Sequence, residues 1–339
     1  MKAICYENTK TTIPNWDSND KLEQHCPLGF AYEIDGFFVH FYGSSRGLYS
    51  ISPGLTVLEK RKQDTLDEWV KKRFGAKNIT QMNSDVGYTT KSIWRPGLFF
   101  VNELEQGLGF NNYLRQEEEQ EILLLFQKLM DIFTYIEPHK NNINVYGHHI
   151  RELLLLACTE FESQCISILK VADILPVKQR YTTQDYCLLI DHCFLKEYKV
   201  RFKSYKFLEP IEPFSSWNVS LPTKSLIWYD AYNKTKHNRE TNFYLANLEA
   251  LLNAIVANIV LFSVRFGPYT LLQSGTLLSS YINQYISLEL TNPDIKSFYI
   301  PKLKIKENTR NDFFLLDSYQ AKFNLPWITT KSIISEKIK

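Results

Sequence analysis

Residues 225–267 read SLIWYDAYNKTKHNRETNFYLANLEALLNAIVANIVLFSVRFG, a polar knot running straight into a long apolar stretch. The apolar part sets the fold class of this half of the chain. Leu248, Leu252, Ile255, Ile259, Phe262 and Phe266 recur at alternating steps of four and three, which puts them on one face of an α-helix. Ala250, Ala254, Ala257, Leu261 and Val264 form a second apolar row whose small members let another helix backbone come close. A helix apolar on two faces belongs inside a bundle. Glu249, Asn253 and Asn258 interrupt the run, leaving it too short for a bilayer, and Gly267-Pro268 stops it. No membrane partner is expected.

If the polar knot is itself helical, Asp230, Asn233 and His237 fall at i, i+3 and i+7 and share a face, with Lys234 alongside. An imidazole beside a carboxylate, an amide and an ammonium can move protons near neutral pH. The same residues also describe a solvated turn carrying an ordinary surface histidine, and both readings stand. Upstream, IRELLLLACTEFESQCISILKVADIL predicts a helix with a core stripe of Leu154, Cys158, Phe161, Cys165, Ile168, Ala172 and Leu175. Glu162 lies beside that stripe among Leu155, Ile166 and Leu169. A carboxylate so placed needs a partner. The cations of residues 233–239 are the candidates, either as part of a site or as a salt bridge clamping two helices.

A helix with an inward acid, an intervening segment, and a knot ending Asn-x-x-Lys-His before an Ala/Leu-rich helix resembles the HEPN-like helical domains over about residues 145–267. Many members of that superfamily are metal-independent ribonucleases of toxin–antitoxin, CRISPR-linked and anti-phage systems. Their signature is an arginine followed after a few residues by a histidine, often as Arg-Asn-x-x-x-His. Asn233 and His237 stand at the Asn and His of that motif. Tyr232 stands where the arginine would be, so Lys234, Lys236 or Arg239 has to supply the cation.

The resemblance implies a C-terminal HEPN-like all-α helical bundle; with the strand patterns of the N-terminal third, which predict a β-containing domain, the chain is expected to be α+β. The resemblance further implies a prokaryotic defence or toxin–antitoxin role and attack on RNA by its own 2′-hydroxyl, with no metal or cofactor. Under it His237 is the general base or acid, Lys234 or Lys236 steadies the phosphate, and Asp230 or Glu162 orients the imidazole. It also implies a homodimer through the helical domain and a partner protein. With the arginine replaced, a non-catalytic binding or assembly module is the alternative, so whether the chain is an enzyme stays open.

Working outward, 339 residues suffice for two domains, and a formal net charge of +2 supplies no global field toward nucleic acid. The expected division is a β-containing module over 1–112, the helical domain over 113–290 with a small β insertion near 198–208, and an irregular extension over 291–339. In the first, AYEIDGFFVHFYG places Asp35-Gly36 between two aromatic and β-branched runs, a two-residue hairpin signal. Phe37, Val39 and Phe41 then make a core face. TLDEWVKKRFG predicts a short helix capped by Thr65.

RQEEEQEILLLFQKLMDIFTYIEPHK predicts a helix with Ile122, Leu125, Leu129, Ile132 and Ile136 on one face, its glutamates 117–121 a solvated first turn or a docking patch. His148-His149 reads as the start of the next helix. Lys199, Arg201 and Lys203 alternate with Val200 and Phe202 as on an edge strand, and Lys302, Lys304 and Lys306 repeat the pattern. These are either a phosphate-binding surface for RNA or edges charged against aggregation. TLLSSYINQYISLEL is expected to close the bundle as a helix.

The six cysteines, Cys5, Cys26, Cys158, Cys165, Cys187 and Cys193, contain no zinc spacing. His25-Cys26 and His192-Cys193 are candidates for a metal or nucleophile site, but the adjacent residues of each pair point in different directions and no second cluster is spaced to complete coordination. MKAICYENTKTT has no apolar core of leader length, so the chain is expected in the cytoplasm.

Overall fold

The structure, a computed structural model, describes residues 1–10, 27–44, 48, 50–98, 104, 107–305, 313–314 and 322–324, without the side chains of 52–55, 313–314 and 322–324. The chain is α+β and divides into two compact units, Met1–Gly109 with Asn292–Asn324, and Phe110–Thr291.

In the first unit β1 (Lys2–Glu7), β2 (Leu28–Ile34), β3 (Phe37–Gly43), β4 (Ile51–Lys60) and β5 (Lys77–Asp85) form an antiparallel sheet in the order β5–β1–β2–β3–β4. Phe313–Phe314 pairs with β4, and β6 (Tyr88–Thr90) pairs in parallel with Lys322–Asn324. The hairpin forms as its sequence requires: Ile34 faces Phe37, while Asp35 (φ 49°) and Gly36 (φ 76°) both take the left-handed conformation of such a turn.

β2 and β3 are apolar almost throughout because both sheet faces are covered. Phe30, Tyr32, Val39 and Phe41 lie under Phe298, Ile300 and Leu303, with Phe37 half-buried at the margin. Ala31, Phe38 and Tyr42 pack against Trp69, Val70 and Phe74 of α1 (Leu66–Phe74). Thr65 caps α1: its hydroxyl accepts from the Glu68 amide at 3.3 Å and the Glu68 carboxylate accepts from the Thr65 amide at 2.8 Å. Residues 292–305, read from sequence as the start of an irregular extension, thus belong to this unit and fill its core.

The second unit holds α2 (Asn112–Phe133), α3 (His148–Val171), β7 (Tyr198–Phe202), α4 (Ile227–His237), α5 (Leu248–Phe266), α6 (Leu277–Tyr285) and β8 (Ile286–Leu290). α5 is its axis, buried on both of its apolar rows. Asn258, the polar interruption, donates its amide to the Ala157 carbonyl of α3 at 2.8 Å and to Ala254 within its own helix. Among the described residues α5 is the one helix long and apolar enough to cross a bilayer, and 89% of that span is buried against protein.

Four stretches depart from expectation. α2 ends at Phe133, leaving Ile136 half-buried in the next turn. α3 ends at Val171 and Asp173 turns the chain at φ 55°, so Leu175 is 79% exposed instead of completing the core stripe. TLLSSYINQYISLEL changes period at Tyr285: Ile286, Leu288 and Leu290 alternate inward, and β8 pairs antiparallel with β7. The stretch 301–305 is not a strand but carries a single bridge residue, Leu303; Lys302 is half-buried, Lys304 is exposed, and Lys306 lies outside the described residues.

Candidate functional site

α4 carries the polar knot, and its two faces have different work. Trp228, Tyr229, Ala231, Tyr232 and Thr235 turn inward. The Trp228 indole donates to the Pro213 carbonyl at 2.9 Å and its ring meets Phe161 edge-on at 5.0 Å. Asp230, Asn233, Lys234 and His237 consequently share the outward face, as their spacing dictates. There Lys234 donates to Asp230 at 2.6 Å, one turn back, which raises the lysine above its ordinary value. The Asn233 amide donates to the Tyr229 carbonyl at 3.1 Å. His237 is exposed, and among the described residues nothing hydrogen-bonds to its imidazole.

Glu162 is half-buried on α3 and its partner is a phenol: the Tyr229 hydroxyl donates to it at 2.6 Å. Burial, then the hydrogen bond to Glu162, then the carboxylate's charge hold Tyr229 protonated far above the usual phenol range. Tyr232 stands next to Tyr229, ring centroids 5.4 Å apart, and its hydroxyl accepts from Lys236 at 2.8 Å. That hydrogen bond, outweighing desolvation, raises Lys236. Of the cations in residues 233–239, then, Lys236 is the one that reaches this cluster, through Tyr232. Tyr229 and His237 are eight residues, about 12 Å of helix, apart, the phenol turned inward and the imidazole exposed. No hydrogen bond or ion pair joins Glu162 to His237 among the described residues.

A different neighbour meets the end of α4. Arg151, in the first turn of α3, donates to the Thr235 carbonyl at 3.1 Å. The Arg239 guanidinium donates to Nδ1 of His148 at 3.4 Å and lies over the Phe243 ring at 5.2 Å. His148 and Arg239 are both exposed. Between the C-terminal half of α2 and the start of α3 lies an open cleft of about 470 Å³ lined by Lys128, Asp131, Tyr135, Tyr146, His148 and His149. Arg239, two residues beyond His237, therefore meets His148 of α3, whereas Lys234 is tied to Asp230 and Lys236 to Tyr232.

No protein-family model, curated protein or solved structure matches the chain.

The basic ribbon is largely engaged. Lys199 and Arg201 both reach Glu289 of β8, at 3.8 and 3.9 Å, and Lys203 donates to the carbonyl and side-chain oxygens of Asn283 at 2.5 and 2.8 Å. Among the described residues no group of three or more His, Cys, Asp or Glu side chains is placed to hold a metal ion. Cys193 is buried and His192 half-buried; His25 and Cys26 lie outside the described residues. Cys5, Cys158, Cys165, Cys187 and Cys193 are all buried free thiols.

Glu118, expected within a solvated first turn or docking patch, is instead buried, and Arg265, which the sequence did not single out, is buried with it. Arg265 in the last turn of α5 pairs with Glu118 of α2, the two being 3% and 5% exposed. Burial pushes Glu118 up to about 7, against the opposing pull of Arg265. Arg265 is lowered by the same desolvation. The signal was there: Glu118 stands four residues before Ile122 and so continues the stripe that runs through Leu125 and Leu129.

Proposed function

We propose that the helical unit is a HEPN-like module of a prokaryotic defence or toxin–antitoxin type system, acting in the cytoplasm as a metal-independent RNA endonuclease. The observation that carries this reading is the meeting of Arg239 with His148 at the open end of α4, two residues beyond His237 and beside the cleft that His148 lines. An exposed imidazole two residues from a guanidinium that another imidazole orients is a sufficient set for cleavage by the RNA's own 2′-hydroxyl. His237 takes the 2′-OH proton, the oxygen attacks phosphorus, the bond to the 5′-oxygen breaks, and that oxygen leaves with a proton from water, while His148, whose Nδ1 accepts from Arg239, orients the guanidinium. Arg239 holds the phosphate oxygens with paired N–H donors, the role an arginine fills better than a lysine. It replaces the arginine for which Tyr232 stands in the motif. Lys234 is committed to Asp230 and Lys236 to Tyr232, so Arg239 is the cation of the three that this reading selects. A second copy packed through the helical unit would complete the site.

The test uses 5′-labelled single-stranded RNA in EDTA with wild type, His237→Ala and Arg239→Ala, alongside total-RNA integrity on expression. The expected result is cleavage leaving 2′,3′-cyclic phosphate ends, reduced at least about 100-fold by His237→Ala. Cleavage unaffected by His237→Ala overturns the assignment.

The second reading is a non-catalytic binding or assembly module for a partner protein. It is favoured by the committed side chains of Asp230, Asn233 and Lys234. Intact RNA in every arm supports it. RNA affinity that depends on Lys199, Arg201 and Lys203 but survives His237→Ala points instead to an RNA-binding ribbon.

A further inference from the structure

The helical unit has a second cleft, which shares no lining residue with the first. It measures about 330 Å³ and lies between the 140–143 loop, the segment after β7 and the first turns of α5. Its floor is apolar, made by Leu208, Ile211 and Leu252. On its rim Phe207 is 62% exposed, its ring beside that of His139 at 5.2 Å. Around this floor stand three carboxylates, Glu209, Glu212 and Glu249, against one ammonium, Lys140, in a chain whose formal charge is positive.

None of the three acids has a structural duty among the described residues: no ion pair or hydrogen bond to their carboxylates is present. Glu249 is not needed to cap α5. The amides of Leu248 and Glu249 donate to the carbonyls of Val145 and Ile143, each at 2.9 Å, and Asn247 takes the Ala250 amide at 2.9 Å. The cleft is also preformed. Ile211 and Val200 exchange backbone hydrogen bonds at 2.8 and 2.9 Å, which ties the acidic loop to the ribbon, and the Leu208 amide donates to Tyr205 at 3.0 Å. Three carboxylates lining one cleft with an apolar floor favour a ligand that brings a positive charge on an apolar stem.

We propose that this cleft docks an arginine-bearing basic segment of a partner protein. The volume sits at the low end of ligand sites and admits one or two side chains, not a folded element. A guanidinium suits it better than an ammonium because its flat face stacks on Phe207 while its edge forks to the carboxylates. The site goes beyond the RNA reading and does not depend on it.

The test is calorimetric titration of the full chain with the acetylated, amidated peptide Gly-Arg-Gly-Arg-Gly, beside its lysine and citrulline counterparts. The arginine peptide is expected to bind with a Kd of about 0.1–1 mM, the lysine peptide more weakly, the citrulline peptide not at all. Glu209→Gln with Glu212→Gln should weaken binding about tenfold, and Phe207→Ala about fivefold, with the melting temperature unchanged. Absence of binding by the arginine peptide, or equal binding by wild type and these variants, overturns the proposal. Spermidine binding as tightly as the peptide overturns the peptide assignment, and a dimer that Glu249→Lys dissociates makes the occupant a second copy.

Discussion

At the scale of single residues, the sequence betrays that a charge is placed awkwardly more readily than what answers it. Glu162 stands out on the wheel of α3 because Leu155, Ile166 and Leu169 flank it. Its partner is hidden because Tyr229 reads as one more aromatic of an apolar face, and the phenol's donor shows only once α3 and α4 are set side by side. Tyr229→Phe removes that donor and leaves a half-buried carboxylate unanswered, a loss of about 1.5–3 kcal/mol; Glu162→Gln, which keeps an acceptor, is expected to lose less. Chemical denaturation of the two variants checks the order. Arg265 and Glu118 pose a harder case. Arg265→Met strands a buried carboxylate and should cost about 3–5 kcal/mol, most of it recovered in Arg265→Met with Glu118→Leu. The sign of its pH dependence follows from burial. A carboxyl whose folded pKa is raised gives its full stability below its unfolded value of 4.5 and loses it as pH rises through the folded value of about 7. Removing the guanidinium raises that folded value further, so the Arg265→Met deficit should be smaller at pH 5 than at pH 8. Equal deficits at both would show that Glu118 stays ionised.

At the scale of elements, what could be read was whatever repeats locally. The Asp35-Gly36 turn, the Thr65 cap and the four–three spacing of α5 each depend on residues close in sequence, and each is found as read. The switch from α6 to β8 at Tyr285 depends instead on β7, more than eighty residues earlier, which gives ISLEL a strand to pair with. The same non-local logic buries His40 in the sheet. It hydrogen-bonds with Tyr6 at 2.6 Å and stacks on Phe74 of α1 at 3.7 Å. Complete burial pushes its pKa well below the ordinary 6.5. Its neutral form therefore stabilises the unit fully above pH 6.5, and that stability falls by about 1.4 kcal/mol per unit as pH drops below it, until the folded value is reached. Replacing both partners, Tyr6→Phe with His40→Phe, leaves no orphaned donor and should flatten stability between pH 6.5 and 5. An unchanged slope in denaturation across that range would assign the acid sensitivity to other groups.

At the scale of the whole molecule, the first unit is discontinuous: the chain leaves it at Gly109, builds the helical unit, and returns at Asn292. The returning stretch, SFYIPKLKI, alternates apolar and basic residues over its second half, and its lysines are the more conspicuous half of that pattern in sequence. Its apolar half is what the fold uses. Phe298, Ile300 and Leu303 are 1%, 2% and 4% exposed over the sheet face formed by Phe30, Tyr32 and Phe41. The Tyr32 hydroxyl donates to Pro301 and accepts from the Leu303 amide, both at 2.9 Å, so the strap is tied by polar bonds as well as by packing. Each of these three side chains contributes about 1.5–3 kcal/mol when fully buried, and together they rival the roughly 5–15 kcal/mol that holds a typical domain folded. A fragment of residues 1–109 should therefore fail to fold and should expose its sheet to dye binding and aggregation. Residues 110–291, whose helices close on their own core, should keep helical circular dichroism and a cooperative melt. Adding residues 292–324 as a separate peptide should restore a folded first unit at concentrations above its dissociation constant, because what the fragment lacks is this one covering segment. A fragment of 1–109 that melts cooperatively by itself would mean that α1 and the sheet suffice without it.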